Sequence, residues 1–330
     1  MKKNIAIIMG GYSSEFEISV KSGNVVYNSL DSSKYNLYRV HIQKNKWVHV
    51  DENEVEHPIN KADFTTNING HKIIFDVVFN AIHGHPGEDG VILSYFELLG
   101  IPHTSAPSYQ MALTFNKRDC LSVVKAYGIK TANAYYLNEG DPISENEILK
   151  KVGLPCFVKA NKAGSSFGIS KVYKKEHLKA AIKLSFKEDD EIIIESYLDG
   201  REVSVGVITY NNELKVLPIT EIITENDFFD FEAKYEGKSH EITPAKLSEK
   251  EEKRIRKVAK KVYKVLRMSG FSRSEYILID GEPHLLEMNT VPGLTSLSLL
   301  PQQANIAGIS LTELFGNAIE SALNLSTEGK

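Results

Sequence analysis

The chain has 330 residues, which is enough for two or three domains with a sizeable buried core. Lys and Arg total 39 against 43 Asp and Glu, so the net charge of −4 provides no basic field for nucleic acid, and any anion site must be built locally. No apolar segment reaches membrane-spanning length, the apolar run after Lys2-Lys3 is too short for a signal peptide, and Cys120 and Cys156 form no paired motif, so we expect a reduced cytoplasmic protein.

The N-terminal third alternates between strand and helix patterns. Residues 4–9 predict a buried strand that Gly10-Gly11 ends, and a helix with a capping box at Ser14 and Glu17 follows. The segments "YNLYRVHI", "KWVHV" and "KIIFDVVFNAI" predict further strands. This alternation indicates an α/β domain that ends near residue 102.

The remaining chain divides into two further regions. The first begins with one predicted helix, carrying Met111 through Val124 and ending at Gly128, followed by strands in "CFVKANKAGSSFGISKVY" and "EIIIESYL". The second contains a polar stretch at residues 224–247 and a predicted helix at 249–267, which starts with a capping box at Ser248 and Glu251. We find no internal repeat.

The segment "VKANKAGSSFGIS" can bind an anion. Lys159 is predicted to end a strand, and the loop at residues 164–168 can present backbone N–H groups. A flexible hairpin tip with a solvated lysine explains the same residues equally well. The loop joins two strands rather than opening a helix, which excludes the P-loop and the dinucleotide fingerprint.

The segment "HGHPGEDG", residues 83–90, combines glycines with His, Glu and Asp where a strand ends. Such residues suit a ligand crevice at the carboxyl edge of an open α/β sheet. A tight turn with Glu88 or Asp89 near the start of a helix is the equally good alternative. Glu15 has the same position in the first βα unit, where it either complements the helix dipole or binds an ammonium group.

The segment "GFSRSEYILIDGEPHLLEMN" predicts a β-hairpin with its turn at residues 280–281. A two-residue turn would pair Glu275 with Leu286, and Glu275 and Glu287 would then point to opposite faces. We predict instead a three-residue loop, residues 279–281 with a glycine bulge. This loop places four polar side chains on one face, namely Arg273, Glu275, Glu287 and Asn289. Their oxygen donors suit a hard cation such as Mg²⁺, whereas a surface hairpin with scattered charges is the alternative.

Lysines on three separate segments accompany this oxygen-donor site, namely Lys117, Lys159 and Lys234. Unit charges 4 Å apart interact by about 4 kcal/mol at an effective dielectric constant of 20. Lysines and metal ions together can therefore neutralise a triphosphate that the acidic chain would otherwise repel. This combination favours a nucleotide ligand over a neutral one.

The motifs, taken in order, resemble those of the D-alanine–D-alanine ligase family of the ATP-grasp superfamily. They extend over residues 4–320 and consist of "GGYSSEFEIS", "HGHPGEDG", "VKANKAGSSFGISKV", "IIIESYLDGREVSV", "DFEAKYEGK", "GFSRSEYI" and "LLEMNTVPGLTSLSLLP". The resemblance implies an α/β (mixed α+β) fold in the three-domain ATP-grasp architecture with a Rossmann-like N-terminal domain. It implies domains at residues 1–102 (first D-alanine site), 103–197 (phosphate loop) and 198–330 (lid, metal site and second substrate site).

The resemblance also implies where ATP and metal bind. ATP would lie between the central and C-terminal domains, and two Mg²⁺ ions, for which Mn²⁺ can substitute, would be held by Glu275, Glu287 and Asn289. Glu275 stands where the family usually has the shorter aspartate. The residues implied to bind ATP are Lys117, Lys159, Ser165, Ser166, Glu195, Ser196, Tyr197, Leu198, Glu202, Phe228 and Lys234.

The two amino acids are implied to bind at separate places. The ammonium group of the first D-alanine would meet Glu15, with His83 nearby. The carboxylate of the second D-alanine would lie at Ser298 and Leu299.

The catalytic groups also follow from the resemblance. Arg273 and the Gly293 N–H would stabilise the tetrahedral oxyanion. Tyr235, on the lid predicted at residues 224–247, would join Glu15 and Ser165 in a hydrogen-bonded set, and a tyrosine there is typical of dipeptide-forming members.

The implied activity is the ATP-dependent ligation of two D-alanines through an acyl phosphate, for peptidoglycan precursor synthesis. The implied partners are ATP and D-alanine, with neither nucleic acid nor membrane, and relatives are commonly homodimers. Two alternatives are another ATP-grasp ligase, using D-lactate or a different amino acid, and a non-catalytic nucleotide-binding sensor.

Overall fold

The computed structural model describes residues 2–164, 168–224 and 239–328. The first of its three β-sheets has seven strands in the order β6-β5-β4-β3-β2-β1-β7. β1 is buried from Ile5 onward and pairs in parallel with β2 and β7, as in a Rossmann-like sheet, whereas β3 to β6 extend the sheet with antiparallel pairs. Its strands are β1 (Lys3–Gly10), β2 (Tyr35–Ile42), β3 (Trp47–Val50), β4 (Glu56–Asn60), β5 (Thr65–Ile68), β6 (His71–Ile74) and β7 (Val77–Asn80).

Three helices lie in the same part of the chain as this sheet. They are α1 (Phe16–Ser29), α2 (Val91–Leu99) and α3 (Ser108–Phe115). Across the described residues, no helix is both long and apolar enough to cross a membrane.

The second sheet has four antiparallel strands in the order β10-β9-β11-β8. The strands are β8 (Ala134–Asn138), β9 (Cys156–Ala160), β10 (Ser170–Val172) and β11 (Glu191–Ser196), and the helices of this region are α4 (Lys117–Ala126), α5 (Glu145–Val152) and α6 (Lys175–Ser185). The predicted pair of strands around the glycine-serine loop is confirmed as β9 and β10.

The third sheet has five antiparallel strands in the order β14-β13-β12-β15-β16. The strands are β12 (Arg201–Tyr210), β13 (Glu213–Thr224), β14 (Ser239–Ile242), β15 (Phe271–Ile279) and β16 (Glu282–Asn289), and the helices are α7 (Glu249–Val265), α8 (Leu299–Ile306) and α9 (Leu311–Glu328). The capping box predicted at Ser248 and Glu251 is confirmed at the start of α7.

Two predictions about helix ends are wrong. The helix predicted from Met111 to Gly128 is two helices, because Asn116 has an extended backbone and its side chain caps α4 by accepting a hydrogen bond from the Asp119 N–H. The capping box predicted at Ser14 is absent, because α1 begins after Glu15 and has no side-chain cap. Ser13 instead bonds the local backbone, since its Oγ lies 3.3 Å from the Glu15 N–H and 3.0 Å from the His83 carbonyl.

Candidate active site

Two adjoining cavities contain most of the predicted site residues. The larger cavity, about 380 Å³, is walled by the second and third sheets, and the predicted residues that line it are Lys159, Glu195, Ser196, Tyr197, Leu198, Glu202, Glu275 and Glu287. The smaller cavity, about 100 Å³, is lined by the predicted residues Glu15, His83, Lys117, Arg273, Glu287, Asn289 and Gly293. Glu287 lines both cavities, so one carboxylate borders both.

Some predicted residues lie elsewhere. Ser298 and Leu299 line neither cavity. The predictions for Ser165, Ser166, Phe228, Lys234 and Tyr235 concern positions outside the described residues.

Lys159 is a buried cation in the larger cavity. Its Nζ lies 2.9 Å from Glu195 Oε2, and the exposed fractions of the two side chains are 13% and 3%. Burial alone would lower the pKa of Lys159, but the carboxylates of Glu195, Glu287 and Glu202 outweigh it and raise that pKa. The lysine therefore stays charged and can bind an anionic ligand.

Glu195 also has a free acceptor. Its other oxygen, Oε1, is buried and makes no hydrogen bond to any described residue. A buried acceptor without a donor is costly, so its place in a cavity wall fits a ligand that brings an N–H donor. The amino group of adenine is such a donor.

Lys117 is held at the start of α4 by a polar cluster. Its backbone N–H donates to the Asn161 carbonyl at 3.3 Å, and its Nζ donates to the Ala163 carbonyl at 2.6 Å. The Asn161 side chain accepts from the Arg118 N–H at 2.8 Å and donates to Glu191 Oε2 at 2.9 Å. These bonds join α4 to the end of β9, so Lys117 and Lys159, two of the three lysines predicted to neutralise a triphosphate, are fixed relative to one another.

The β15–β16 hairpin forms the predicted polar face by a different route. The turn contains only Asp280 and Gly281, with φ of 51° and 72°, so the predicted three-residue loop is wrong. The register shifts by one residue between Tyr276–Leu285 and Glu275–Glu287, which leaves Leu286 as a β-bulge.

The sequence analysis expected one extra residue in the turn to set the register, and the bulge at Leu286 provides that extra residue within the strand instead. Glu275 is therefore opposite Glu287, and Arg273 is opposite Asn289, as the predicted single face requires.

This face can hold a divalent cation. Asn289 Oδ1 is buried and has no hydrogen-bond partner among the described residues, while Glu287 Oε2 lies 3.5 Å from Lys117 Nζ. Glu275 accepts a hydrogen bond from Arg273 Nη1. Within the described chain there is no group of three His, Cys, Asp or Glu side chains that could hold a metal, so the donor set is two carboxylates and one amide. These hard oxygen donors fit Mg²⁺, which usually takes its other ligands from phosphates and water.

The bulge predicts the effect of a one-residue deletion. Removing Leu286 takes the bulge away and joins Leu285 directly to Glu287, so Glu287 stays opposite Glu275 and Asn289 stays opposite Arg273. We therefore expect the deletion variant to keep Mg²⁺-dependent nucleotide binding within about tenfold of the parent in calorimetric titrations. Leu286→Ala keeps the residue count and is the matched control, for which binding within about threefold of the parent is expected. A folded deletion variant that loses Mg²⁺-dependent nucleotide binding would contradict a bulge at Leu286, because without that bulge the deletion turns Glu287 and Asn289 to the opposite face.

Glu15 and His83 form one end of the smaller cavity. His83 donates from Nδ1 to the Val291 carbonyl at 2.8 Å, so the proton is on Nδ1, and Nε2 lies 2.9 Å from Ser22 Oγ. Burial lowers the pKa of His83, so the ring is neutral and fixed. A Cβ at Gly164 would lie 2.8 Å from Glu15 Oε2, so Gly164 packs directly against the Glu15 carboxylate and a side chain there would displace it.

Glu88 also lines the smaller cavity and was not among the predicted site residues. Burial first, and then the nearby Glu15 carboxylate, raise the pKa of Glu88 to about 7. Sequence reasoning left two readings of Glu88 open, as part of a ligand crevice and as a residue near a helix start, and assigned it no specific role. The signal that could have marked Glu88 as a cavity residue was its position near His83 in a glycine-rich segment at the end of a strand.

The raised pKa of Glu88 predicts a pH-dependent stability. Because the folded-state pKa lies above the ordinary value of 4.5, its contribution is present at low pH and is lost as pH rises from about 4.5 through about 7. We expect Glu88→Gln to gain about 2–3 kcal/mol in free energy of unfolding relative to the parent between pH 5 and pH 8. Urea unfolding at the two pH values measures it, and a constant difference would contradict the prediction.

Gly293 and Ser298 shape the segment between β16 and α8. Ser298 is the N-cap residue of α8, and its Oγ lies 2.9 Å from Thr295 Oγ1. A Cβ at Gly293 would come within 2.6 Å of Ser298 Oγ, so a side chain there would force Ser298 to shift. No side chain of the described residues caps α8, so its first N–H groups can donate hydrogen bonds to an anion.

Comparisons with known families agree with this geometry. The family model described as D-ala D-ala ligase N-terminus matches residues 4–106, and the one described as D-ala D-ala ligase C-terminus matches residues 123–320. The D-alanine–D-alanine ligase of Flavobacterium johnsoniae is 66% identical over 97% of this chain and 99% of its own. The D-alanine–D-alanine ligase of Christiangramia forsetii is 58% identical over 98% of this chain and 99% of its own.

Solved structures show the same similarity. D-alanyl-alanine synthetase A of Vibrio cholerae superposes with a TM-score of 0.87 at 29% identity, over 98% of both chains. The D-alanine–D-alanine ligase of Bacillus anthracis complexed with ATP gives a TM-score of 0.81 at 29% identity, over 99% of this chain and 100% of that one. The VanG D-Ala:D-Ser ligase of Enterococcus faecalis gives a TM-score of 0.84 at 32% identity, over 97% of this chain and 99% of that one.

The three sheets, with a cavity between the second and third, define an ATP-grasp ligase, as the sequence predicted. More narrowly, both family models and the curated relatives place the chain in one group. The chain belongs to the D-alanine–D-alanine ligase family.

Proposed function

We propose that this chain joins two D-alanine molecules into D-alanyl-D-alanine at the expense of ATP, for the synthesis of peptidoglycan precursors. The observation that carries the proposal is the pair of cavities that meet at Glu287. One has a buried cation and an unpartnered acceptor suited to a nucleotide, and the other has a carboxylate suited to an amino acid. The proposed domains are residues 1–102, 103–197 and 198–330.

In this proposal ATP occupies the larger cavity. Its adenine amino group donates to Glu195 Oε1, Glu202 binds the ribose, and Lys117 and Lys159 hold the phosphates at the end near Glu287. Mg²⁺ would be held by Glu275, Glu287 and Asn289, and when bound it neutralises charge on the phosphate oxygens. We propose two such ions, with Mn²⁺ as a possible substitute.

The first chemical step is transfer of a phosphoryl group. Glu15 binds the ammonium group of the first D-alanine, which directs its carboxylate toward the γ-phosphate. One carboxylate oxygen forms a bond to phosphorus while the bond to ADP breaks, which gives an acyl phosphate and ADP. The lysines stabilise the transferred charge.

The second step is attack by the other amino acid. The N-terminus of α8, at Ser298 and Leu299, binds the carboxylate of the second D-alanine. Its amine attacks the acyl carbon, the Arg273 guanidinium and the Gly293 N–H stabilise the oxyanion, and phosphate leaves as the peptide bond forms. Holding both reactants in place can lower the barrier by about 7–11 kcal/mol.

The chain's cellular setting is part of the same proposal. We propose a cytoplasmic location, because the substrate ATP is a cytoplasmic metabolite and both cysteines, Cys120 and Cys156, are free and buried. We also propose a homodimer, because members of the family are commonly dimers.

Product analysis tests the function. The protein is incubated with ATP, Mg²⁺ and a mixture of D-alanine, D-serine and D-lactate, and products are identified by mass spectrometry. D-serine is included because the similar structure from Enterococcus faecalis is that of a D-Ala:D-Ser ligase. We expect mainly D-alanyl-D-alanine, with one ADP for each dipeptide. Release of ADP without any dipeptide, or a product dominated by D-serine or D-lactate, would contradict the proposal.

A further inference from the structure

Gln303 is a polar side chain buried between α8 and the third sheet, and the reaction steps above do not use it. It is 0% exposed. Its Oε1 accepts a hydrogen bond from the Gly206 N–H at 2.9 Å, and its Nε2 donates to the Ser204 carbonyl at 3.0 Å and to Thr220 Oγ1 at 2.9 Å. One amide group therefore bonds α8 to both β12 and β13.

These hydrogen bonds lie where the pairing of β12 with β13 is irregular. The register shifts by one residue between Val205 and Val207, so Gly206 lies opposite two residues of β13. One of the two is Pro218, which has no backbone N–H to donate. The Gln303 amide thus provides β12 with both a donor and an acceptor beside the interruption, as buried backbone groups require.

The amide also fixes where α8 lies on the sheet. Leu300 and Ala304 of the helix belong to the same apolar cluster as Leu217 of β13. Apolar contact is non-directional, whereas a hydrogen bond tolerates only a narrow range of distances and angles. A Cβ at Gly206 would lie 2.5 Å from Gln303 Oε1, so the helix approaches the strand closely at this point. Gln303 therefore sets the position of α8 more narrowly than its apolar contacts can.

The same hydrogen bonds connect α8 to Arg273. The Ser204 carbonyl accepts from Gln303, and the Ser204 Oγ accepts from Arg273 Nη1 at 3.2 Å. Gly206 is paired directly with Arg273 where β12 lies beside β15. The N-terminus of α8, which Ser298 begins, is thus linked through one buried amide to the guanidinium group assigned to the oxyanion.

We propose that Gln303 is a positioning residue for the second D-alanine, because it holds the N-terminus of α8 at a fixed distance from Arg273. The inference rests on the proposed ligase function and adds to it a residue that lines neither cavity. A misplacement of about 1 Å can lower a rate by about 100-fold. When the second amine is misplaced, water attacks the acyl phosphate instead, phosphate leaves and the first D-alanine is regenerated, so ATP is consumed without forming dipeptide.

Gln303→Met separates this role from a structural one. Methionine has a similar volume but makes none of the three hydrogen bonds. ADP and dipeptide are measured in the same reaction, because a partly unfolded preparation lowers both equally and leaves their ratio unchanged. We expect the dipeptide formed per ADP to fall from about one to below about one half, and the KM for the second D-alanine to rise at least about tenfold, with the KM for ATP within about twofold of the parent.

Asn305→Ala is the matched control. Asn305 carries an exposed amide on the same helix, so its removal leaves the buried hydrogen bonds in place. We expect its ratio of dipeptide to ADP to equal that of the parent. Gln303→Asn keeps the amide but withdraws it by one methylene, so an intermediate ratio is expected, and this milder variant decides the question if Gln303→Met does not fold.

A folded Gln303→Met variant with the parental ratio of dipeptide to ADP and the parental KM values would overturn the inference, because Gln303 would then serve only the packing of α8. This outcome leaves the proposed function intact, since the parent protein still forms D-alanyl-D-alanine. A parent protein that forms no dipeptide would instead overturn the proposed function.

Discussion

Replacing Lys159 with methionine is expected to lower both stability and nucleotide binding. Lys159 Nζ lies 2.9 Å from Glu195 Oε2, and the Glu195 side chain is only 3% exposed. Removing one partner leaves a buried carboxylate without its cation, which costs about 3–5 kcal/mol in free energy of unfolding. The loss of a phosphate-binding cation should also lower kcat/KM for ATP at least about 100-fold. Urea unfolding and steady-state kinetics measure the two effects.

A double variant separates these effects. Lys159→Met combined with Glu195→Gln removes both charges, so the buried carboxylate no longer lacks a partner. We expect the double variant to regain most of the lost free energy of unfolding while kcat/KM for ATP stays low. If the double variant recovers activity along with stability, Lys159 has only a structural role and its assignment to the phosphates is wrong.

Glu287→Gln is expected to have the largest effect on catalysis. Glu287 lines both cavities, and it faces Glu275 across the hairpin with Asn289 beside it. The amide is a weaker ligand for a hard cation than the carboxylate, so Mg²⁺-dependent ATP binding should weaken and kcat should fall at least about 100-fold. The fold should not suffer, because the substitution removes one charge from a group of neighbouring carboxylates. Isothermal titration with and without Mg²⁺, together with thermal unfolding, measures both outcomes.

Glu282→Gln is the matched control for that variant. Glu282 is on the same strand, but it lies at the turn and pairs with Arg254 at 2.6 Å, outside both cavities. Its kcat should remain within about twofold of the parent. An equal loss of activity in the two variants would mean that strand charge, rather than metal binding, explains the effect.

The polar face of the hairpin shows how far the sequence can predict the site. The spacing of the charged residues and the need to bring oxygen donors together predict that the four side chains share a face, and the structure confirms it. The predicted three-residue loop was wrong. Asp280 and Gly281 both adopt positive φ and form a two-residue turn, and the bulge is at Leu286. The tertiary packing of the sheet determines where the bulge lies. Leu286 has no local feature, such as a glycine, from which the sequence alone could predict a bulge.

Long-range contacts explain the other differences. The break at Asn116 follows from an extended backbone and a side-chain cap that an otherwise helical apolar pattern conceals. The sequence analysis assigned Glu88 no role because its place in the cavity depends on contacts that form only in the folded chain. Those contacts involve Gly84 and, through it, Glu15, 73 residues earlier in the sequence. The individual motifs could be found in the sequence, whereas the cavity that joins them could be seen only in the fold.

Isotope transfer tests the central claim most directly. D-alanine labelled with ¹⁸O in both carboxylate oxygens is incubated with ATP, Mg²⁺ and the protein, and the released phosphate and nucleotide are analysed by mass spectrometry. Formation of an acyl phosphate requires one labelled oxygen to leave with phosphate, so we expect one ¹⁸O in the phosphate for each dipeptide formed, together with ADP. Phosphate without label, or AMP as the nucleotide product, would contradict the account.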